Sequence, residues 1–288
     1  MTYALFLGCT IPARGLDYEL SARKVTSLLG VDIRDREFSC CGFPLEAVDE
    51  EKALLLASRN LAVAEAAGND ILVLCSACAE TLTKTMLTLE DQKTLSSVNE
   101  SLHEEFGLKY EGKLKVRHLA RLLHEEIGPE KLKSLVTRPL TGLKVAVHYG
   151  CHYMRPSRVY KGFDDPLRPR SLDELVELTG AQSLSYENKM ACCGGEVLSI
   201  DEKIAVEMAS QKLKPLSTAA VDALVVICPF CSIMYSRYQR TVLSDGSEIP
   251  VIYYSQLLGL AMGLEPDELG FGMNVMDVSE LLSKVVQK

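Results

Sequence analysis

The chain has 288 residues, of which 47% are hydrophobic and 24% charged, with a formal net charge of −8. That is enough apolar material for one large domain or two ordinary ones, and the acidic balance argues against a nucleic-acid partner, whose phosphates attract basic proteins. The opening residues lack the charged region of a signal peptide and meet a cysteine too early for one. Apolar runs such as residues 223–227 fall far short of the roughly 20 residues that span a membrane, so a cytoplasmic protein without a membrane span is expected.

In chain order, residues 3–7 form a short apolar run that reads as a buried strand and leads to Cys9. A second strand is predicted over 31–38, followed by the Cys40-Cys41-Gly42 triplet. Helical periodicity covers 50–67, and an apolar strand at 71–74 leads into Cys75-Ser76-Ala77-Cys78. Residues 88–107 are polar, consistent with a surface excursion or a charged helix. Residues 119–132 close on Gly-Pro-Glu-Lys-Leu, and the turn-forming stretch at 139–142 marks a boundary.

The pattern then begins again. A strand is predicted at 144–149 before Cys151, a helix at 201–220 after Cys192-Cys193-Gly194, and a strand at 224–227 before Cys228-Pro229-Phe230-Cys231. Residues 256–269 close on Glu-Pro-Asp-Glu-Leu. Each half therefore carries five cysteines in the order C…CCG…CxxC, with gaps of 30, 33 and 2 residues in the first and 40, 34 and 2 in the second. The paired cysteines are 152 residues apart and the CxxC motifs 153, but the leading cysteines only 142, which places an insertion of about ten residues between Cys151 and Cys192. Strands alternating with helices imply parallel sheets with right-handed crossovers. The expected fold is α/β, with two pseudo-symmetric parallel-sheet domains over 1–140 and 141–288.

In open parallel sheets the loops after the strands gather at the carboxyl edge, where ligands bind. Cysteines thirty residues apart can converge there: Cys9, Cys40, Cys41, Cys75 and Cys78 in one set, and Cys151, Cys192, Cys193, Cys228 and Cys231 in the other. Without an export signal, clustered cysteines point to metal rather than disulfides. A CxxC turn at a helix start offers two thiolates to one centre, and the helix N-terminus favours the thiolate form. The glycines Gly42 and Gly194 allow backbone to approach a bound group closely. Tetrahedral zinc and an ordinary cubane cluster each take four ligands. A fifth thiol therefore indicates an unusual cluster geometry or one free reactive cysteine, with structural zinc the competing metal. His148 and His152 flank Cys151 and are the histidines most suited to a role at the site. His103, His118 and His124 read as ordinary surface or core residues.

The two CCG motifs, the opening Tyr3-Ala-Leu-Phe-Leu-Gly-Cys9-Thr-Ile-Pro12 and the stretch His148-Tyr-Gly-Cys-His-Tyr-Met-Arg-Pro156 resemble the B subunit of heterodisulfide reductase, over nearly the whole chain. The resemblance implies two non-cubane [4Fe-4S] clusters, each held by the five cysteines of one motif. It also implies reduction of the coenzyme M–coenzyme B mixed disulfide in methanogenesis. No cysteines remain for ordinary cubane clusters, so electrons would arrive through the ferredoxin-like C subunit, itself connected to the flavin-bearing A subunit. The wider family also contains electron-transfer subunits that serve a quinone or flavin partner, and such a relay is the alternative reading.

A catalytic subunit must hold an anionic substrate, and arginine does so with charge-assisted, often bidentate hydrogen bonds. Arg155 and Arg158, in the insertion after Cys151, are the candidate substrate-binding residues, with Arg14 and Arg23 as further candidates. His152 is the candidate proton donor to a departing thiolate. The competing reading of the insertion, which also carries Arg168 and Arg170, is a solvated loop or a partner contact.

Overall fold

The computed structural model describes residues 1–243 and 247–286. The first half runs β1 (Thr2–Phe6), α1 (Ile11–Arg14), α2 (Leu16–Leu28), β2 (Asp32–Arg34), α3 (Glu50–Ala66), β3 (Asp70–Val73), α4 (Ser76–Thr88), α5 (Gln92–Phe106), β4 (Val116–His118), α6 (Leu119–Arg121) and α7 (Pro129–Ser134). The second runs β5 (Lys144–His148), α8 (Ser171–Leu178), β6 (Gln182–Leu184), α9 (Glu202–Thr218), β7 (Ala223–Val226), α10 (Pro229–Arg237), α11 (Gln239–Val242), β8 (Val251–Tyr253), α12 (Tyr254–Ala261) and α13 (Ser279–Val286).

Each half builds one four-stranded parallel sheet, in the orders β2-β1-β3-β4 and β6-β5-β7-β8. The registers correspond across the halves: Phe6 lies beside Val73 as His148 lies beside Val226. The central strands are buried on both faces, as their unbroken apolar runs require. In both sheets the strand order reverses between the first and third strands, the position where open α/β sheets form a crevice at their carboxyl ends.

The predicted strand at 31–38 contracts to Asp32–Arg34. β2 is an edge strand paired only with β1, and the chain leaves it to carry Cys40 and Cys41 back toward the sheet centre. Phe38 packs on Phe6, with ring centroids 5.0 Å apart. The polar stretch at 88–107 is a helix, α5, capped by the Asp91 side chain and stopped by Gly107 in the left-handed region. Its Leu102 is buried while most of its other residues face solvent. The insertion after Cys151 is a run of turns up to α8.

The halves exchange helices. α2 of the first half packs on α12 of the second, and α8 of the second packs on α7 of the first. Tyr18 stacks on Tyr253 at 4.0 Å, Ser21 and Ser255 share a hydrogen bond of 2.7 Å, and Tyr18 donates to the Ile227 carbonyl. Buried His118 also approaches that carbonyl at 3.1 Å. One apolar core is thus continuous through both halves.

Candidate metal centre

The cysteines are delivered by local rules that operate twice. β1 ends at Phe6 and β5 at His148, and Cys9 and Cys151 follow three residues later. Cys75 and Cys228 are the N-cap residues of α4 and α10, in extended conformation, with Cys78 and Cys231 in the first helical turn. Both helix N-termini therefore point their positive dipole ends at sulfur, which stabilises thiolate.

Gly42 and Gly194 have φ of +93° and +80°, and a Cβ on either would lie 2.6 Å from the Ala53 carbonyl or 2.5 Å from that of Ala205. Only glycine lets the paired-cysteine loop press against the first turns of α3 and α9. Gly8 is similarly constrained, since a Cβ there would stand 3.0 Å from the Cys78 sulfur.

The ten thiols, none in a disulfide, form one row: Cys9, Cys40, Cys41, Cys78, Cys75, Cys228, Cys231, Cys193, Cys192, Cys151. Neighbours along it are in thiol–thiol contact. At its middle, the Sγ atoms of Cys75 and Cys228 are 3.9 Å apart. These two residues are pseudo-symmetry equivalents, so the pseudo-two-fold axis passes between their sulfurs. The two sets are one continuous sulfur-lined region shared by the halves.

Three sulfurs accept hydrogen bonds from neighbours on both sides, which favours their thiolate form. Cys41 is pulled down to about 4, first by Cys40 and then by Cys78. Cys192 is pulled down to about 2 by Cys151 and Cys193, helped by the Gly194 N–H at 3.4 Å. Cys228 is also held well below the ordinary thiol range, by Cys231 and Cys75. The donors Cys151 and Cys231 are pushed up correspondingly.

Five converging sulfurs per half, on glycine-relieved loops and helix N-termini, fit a sulfur-ligated iron cluster better than one tetrahedral ion. Cavities of about 50 Å³ and about 10 Å³ lie among the second and first sets respectively.

His152 stands on the wall of the larger cavity, edge-on to Phe43 at 4.9 Å. Its Nδ1 is 3.7 Å from the buried Glu80 carboxylate, which comes from the first half, and its Nε2 is 3.8 Å from Glu196. Burial disfavours the imidazolium, but Glu80, Glu196 and the Cys228 sulfur together outweigh it and raise the pKa.

The arginines of the insertion line neither cysteine cavity. Arg155 donates both Nε and an Nη to the Pro166 carbonyl, closing the loop on itself, and Arg158 is exposed. Arg23 is paired with Glu19 and Asp35. Arg14 instead lines a cavity of about 220 Å³ together with Cys9, Thr10, Gly195 and Phe230.

Two buried polar residues escape a reading of the sequence or are only half seen by it. His148 places its Nε2 3.2 Å from the Cys231 sulfur, and its ring packs edge-on to Tyr235. Lys212 on α9 is fully buried, and its Nζ donates to the carbonyls of Asn188 and Lys189 and to the Tyr186 hydroxyl. The available signal for Lys212 is a lysine on the apolar face of a helix whose first-half counterpart carries Asn60.

Comparison with known proteins agrees with this site. The cysteine-rich domain (CCG) family matches residues 3–83 and 145–236, one match per half. A Methanosarcina acetivorans protein, named as the B subunit of a ferredoxin/F420H2-dependent CoB-CoM heterodisulfide reductase, is 40% identical over 99% of this chain and 97% of its own length. A Wolinella succinogenes protein named 8-methylmenaquinol:fumarate reductase membrane anchor subunit is 33% identical over 97% of this chain and 98% of its own. Among the described residues no helix is long and apolar enough to cross a membrane. A hypothetical protein from Helicobacter pylori shares the fold, with a TM-score of 0.74 at 15% identity, over 97% of this chain and 52% of that one.

Proposed function

The chain belongs to the cysteine-rich domain (CCG) family and, within it, to the heterodisulfide reductase B subunits, and on that premise we propose that it reduces the coenzyme M–coenzyme B heterodisulfide at two non-cubane [4Fe-4S] clusters. One cluster is held by Cys9, Cys40, Cys41, Cys75 and Cys78, the other by Cys151, Cys192, Cys193, Cys228 and Cys231. The observation that carries this reading is the 3.9 Å approach of Cys75 to Cys228 across the pseudo-axis. Cleaving a disulfide takes two electrons and two protons and yields two thiols. Two adjacent one-electron centres match that stoichiometry, and when bound the clusters supply the electrons.

The chain's own residues bind, orient and protonate. His152, on the cavity wall with the Glu80 carboxylate of the opposite half 3.7 Å away, would give a proton to a departing thiolate. Coenzyme M carries a sulfonate, and coenzyme B a phosphate and a carboxylate. In a chain of net charge −8, these anions need local cations. Arg14 lines a cavity that borders the first cysteine set at Cys9. Arg155 would have to leave the Pro166 carbonyl to meet an anion, whereas exposed Arg158 is free to turn toward one end of a long substrate. Electrons would reach the clusters from a ferredoxin-like C subunit and, through it, a flavin-bearing A subunit.

The test is anaerobic. The purified chain should carry about eight irons and eight acid-labile sulfides, as two four-iron clusters do, and with a reduced viologen dye should release two thiols per heterodisulfide. Arg14→Ala should raise KM with clusters intact, by about 1.5–3 kcal/mol for a hydrogen bond to a charged group. Two zinc ions without sulfide would refute the cluster assignment. The second reading, an electron relay to a quinone or flavin partner, draws on the likeness to the Wolinella protein. Clusters that are reduced by the dye but release no thiol would establish it.

A further inference from the structure

The cysteine frame is symmetric, but its surroundings are not. Superposing the motif registers places His148 where the first half has Phe6, Tyr235 where it has Leu82, and Lys212 where it has Asn60. Helices α3 and α9 start equivalently and meet Gly42 and Gly194 through Ala53 and Ala205, which fixes the last pairing. Asn60 ties down its paired-cysteine loop with neutral amide hydrogen bonds, to the Cys40 carbonyl and from the Ser39 N–H. Lys212 ties down the corresponding segment with a charge. In all three pairs the more polar residue belongs to the second half, whereas the first half supplies buried Glu80 opposite Ile233.

The protonation states follow from the partners. The Lys212 Nζ meets three oxygens: the Asn188 and Lys189 carbonyls, which only accept, and the Tyr186 hydroxyl, whose own proton goes to the Val147 carbonyl at 2.8 Å. Burial lowers the Lys212 amine to about 7, and three oxygen acceptors favour its charged form, because an ammonium has an N–H for each. Once Cys231 ligates a cluster it is a thiolate that can only accept, and the His148 tautomer protonated at Nε2, 3.2 Å away, would donate to its sulfur. Phe6, its counterpart in the first half, has no polar atom to donate. The potential of an iron–sulfur cluster rises with hydrogen bonds to its sulfurs and with nearby positive charge, because both favour the more negative, reduced form.

We infer that Lys212 and His148 make the two clusters unequal, the one held by the second half taking electrons at the higher potential. They are positioning residues that act through the field and the ligand sulfur. Electrons given to this chain then pass from the first-half cluster toward the second, whose cavity is also the one bordered by His152 and Ser76. The inference rests on the proposal that each cysteine set holds a cluster.

The test is an anaerobic redox titration of the full chain, followed by electron paramagnetic resonance and by iron and sulfide counts. Wild type should show two separated midpoints. Lys212→Met should lower the higher one by at least a tenfold change in the reduction equilibrium, which is 59 mV for a one-electron couple, and leave the lower one in place. Lys212→Arg should hold both. His148→Phe, which installs what the first half already has, should move the same midpoint in the same direction and provides the measurement if Lys212→Met loses iron. Full iron with neither midpoint moved, or with both moved together, overturns the inference alone. Iron loss at the second site in both variants overturns it too, because the two residues would then hold the fold rather than set the potential. A wild-type chain without iron and sulfide overturns the cluster proposal itself.

Discussion

Replacing Gly42 by alanine tests whether the paired-cysteine loops are seated against α3 and α9. Gly42 has φ of +93°, and its new Cβ would lie 2.6 Å from the Ala53 carbonyl oxygen and 3.1 Å from the Ala53 Cα, both backbone atoms inside α3 that cannot swing away. A left-handed conformation costs a non-glycine residue about 1–2 kcal/mol. Forcing a methyl group into packed surroundings adds about 1–3 kcal/mol. The expected loss is therefore about 2–5 kcal/mol, a large share of the roughly 5–15 kcal/mol of a whole domain. Gly68→Ala is the internal control: its φ is +65°, but nothing lies within 4 Å of its Cβ, so it bears only the conformational cost. Gly194→Ala, with φ of +80° and a 2.5 Å approach to the Ala205 carbonyl, should behave like Gly42→Ala. Anaerobic urea unfolding followed by circular dichroism reads the difference. At a slope of about 3 kcal/mol per molar, the Gly42→Ala midpoint should fall by roughly 1 M, and by clearly more than that of Gly68→Ala. Iron content should fall with it, because Cys40 and Cys41 can no longer reach their places. A Gly42→Ala midpoint no lower than that of Gly68→Ala would refute the steric reasoning.

Further expectations concern the independence of the two cysteine sets and two buried carboxyls. Cys193→Ala should reduce iron from about eight to about four per chain, since metal held by one half is part of that half's folding energy; equal loss from both sites, seen as iron near zero, would show that the halves do not load separately. Lys189→Met should destabilise the second half by about 3–5 kcal/mol, because it leaves the buried Asp173 carboxylate without its ammonium partner at 2.6 Å. Adding Asp173→Asn should recover part of that loss in a urea titration, and no recovery would mean that Lys189 acts through packing alone. Burial raises the Asp17 carboxyl to about 6 from an ordinary 3.8. A raised carboxyl contributes stability below its unfolded value and loses it as pH rises through the folded one. Asp17→Asn should therefore flatten the decline between about pH 4 and pH 6 and stabilise the protein at neutral pH by up to about 3 kcal/mol; an unchanged pH profile would count against it.

Much of this protein is legible in the sequence because its signals are local and repeated. The apolar runs at 3–7 and 71–74 read as buried strands, and β1 and β3 occupy them. The helical period at 50–67 matches α3 to within one residue. The nearly equal spacings of Cys40 from Cys192 and of Cys75 from Cys228, 152 and 153 residues, imply two similar α/β units, and two parallel sheets of matching order are what the chain forms. Strand, turn and cap preferences depend on near neighbours, so a single sequence carries them. The second strand stops short of residue 38 because edge pairing, not propensity, terminates β2 at Arg34.

Side-chain roles depend on groups far away in the chain, and these only the tertiary structure decides. Proximity in sequence to Cys151 favours Arg155, yet its guanidinium is spent on Pro166, while Arg14 from the first half shares a cavity with Cys9. His152 meets Glu80 only because the halves face each other. Nothing in a repeated motif says how its two copies are oriented, whereas the packing of α2 on α12 and of α8 on α7 brings Cys75 against Cys228. Lys212 shows the limit most plainly. A lysine in a helix reads as a solvated charge, and only the surrounding carbonyls of Asn188 and Lys189, supplied by a loop folded over α9, allow it to be buried behind the second cysteine set. Composition and spacing fix how many thiols there are and which strands carry them; long-range packing fixes which charges they meet.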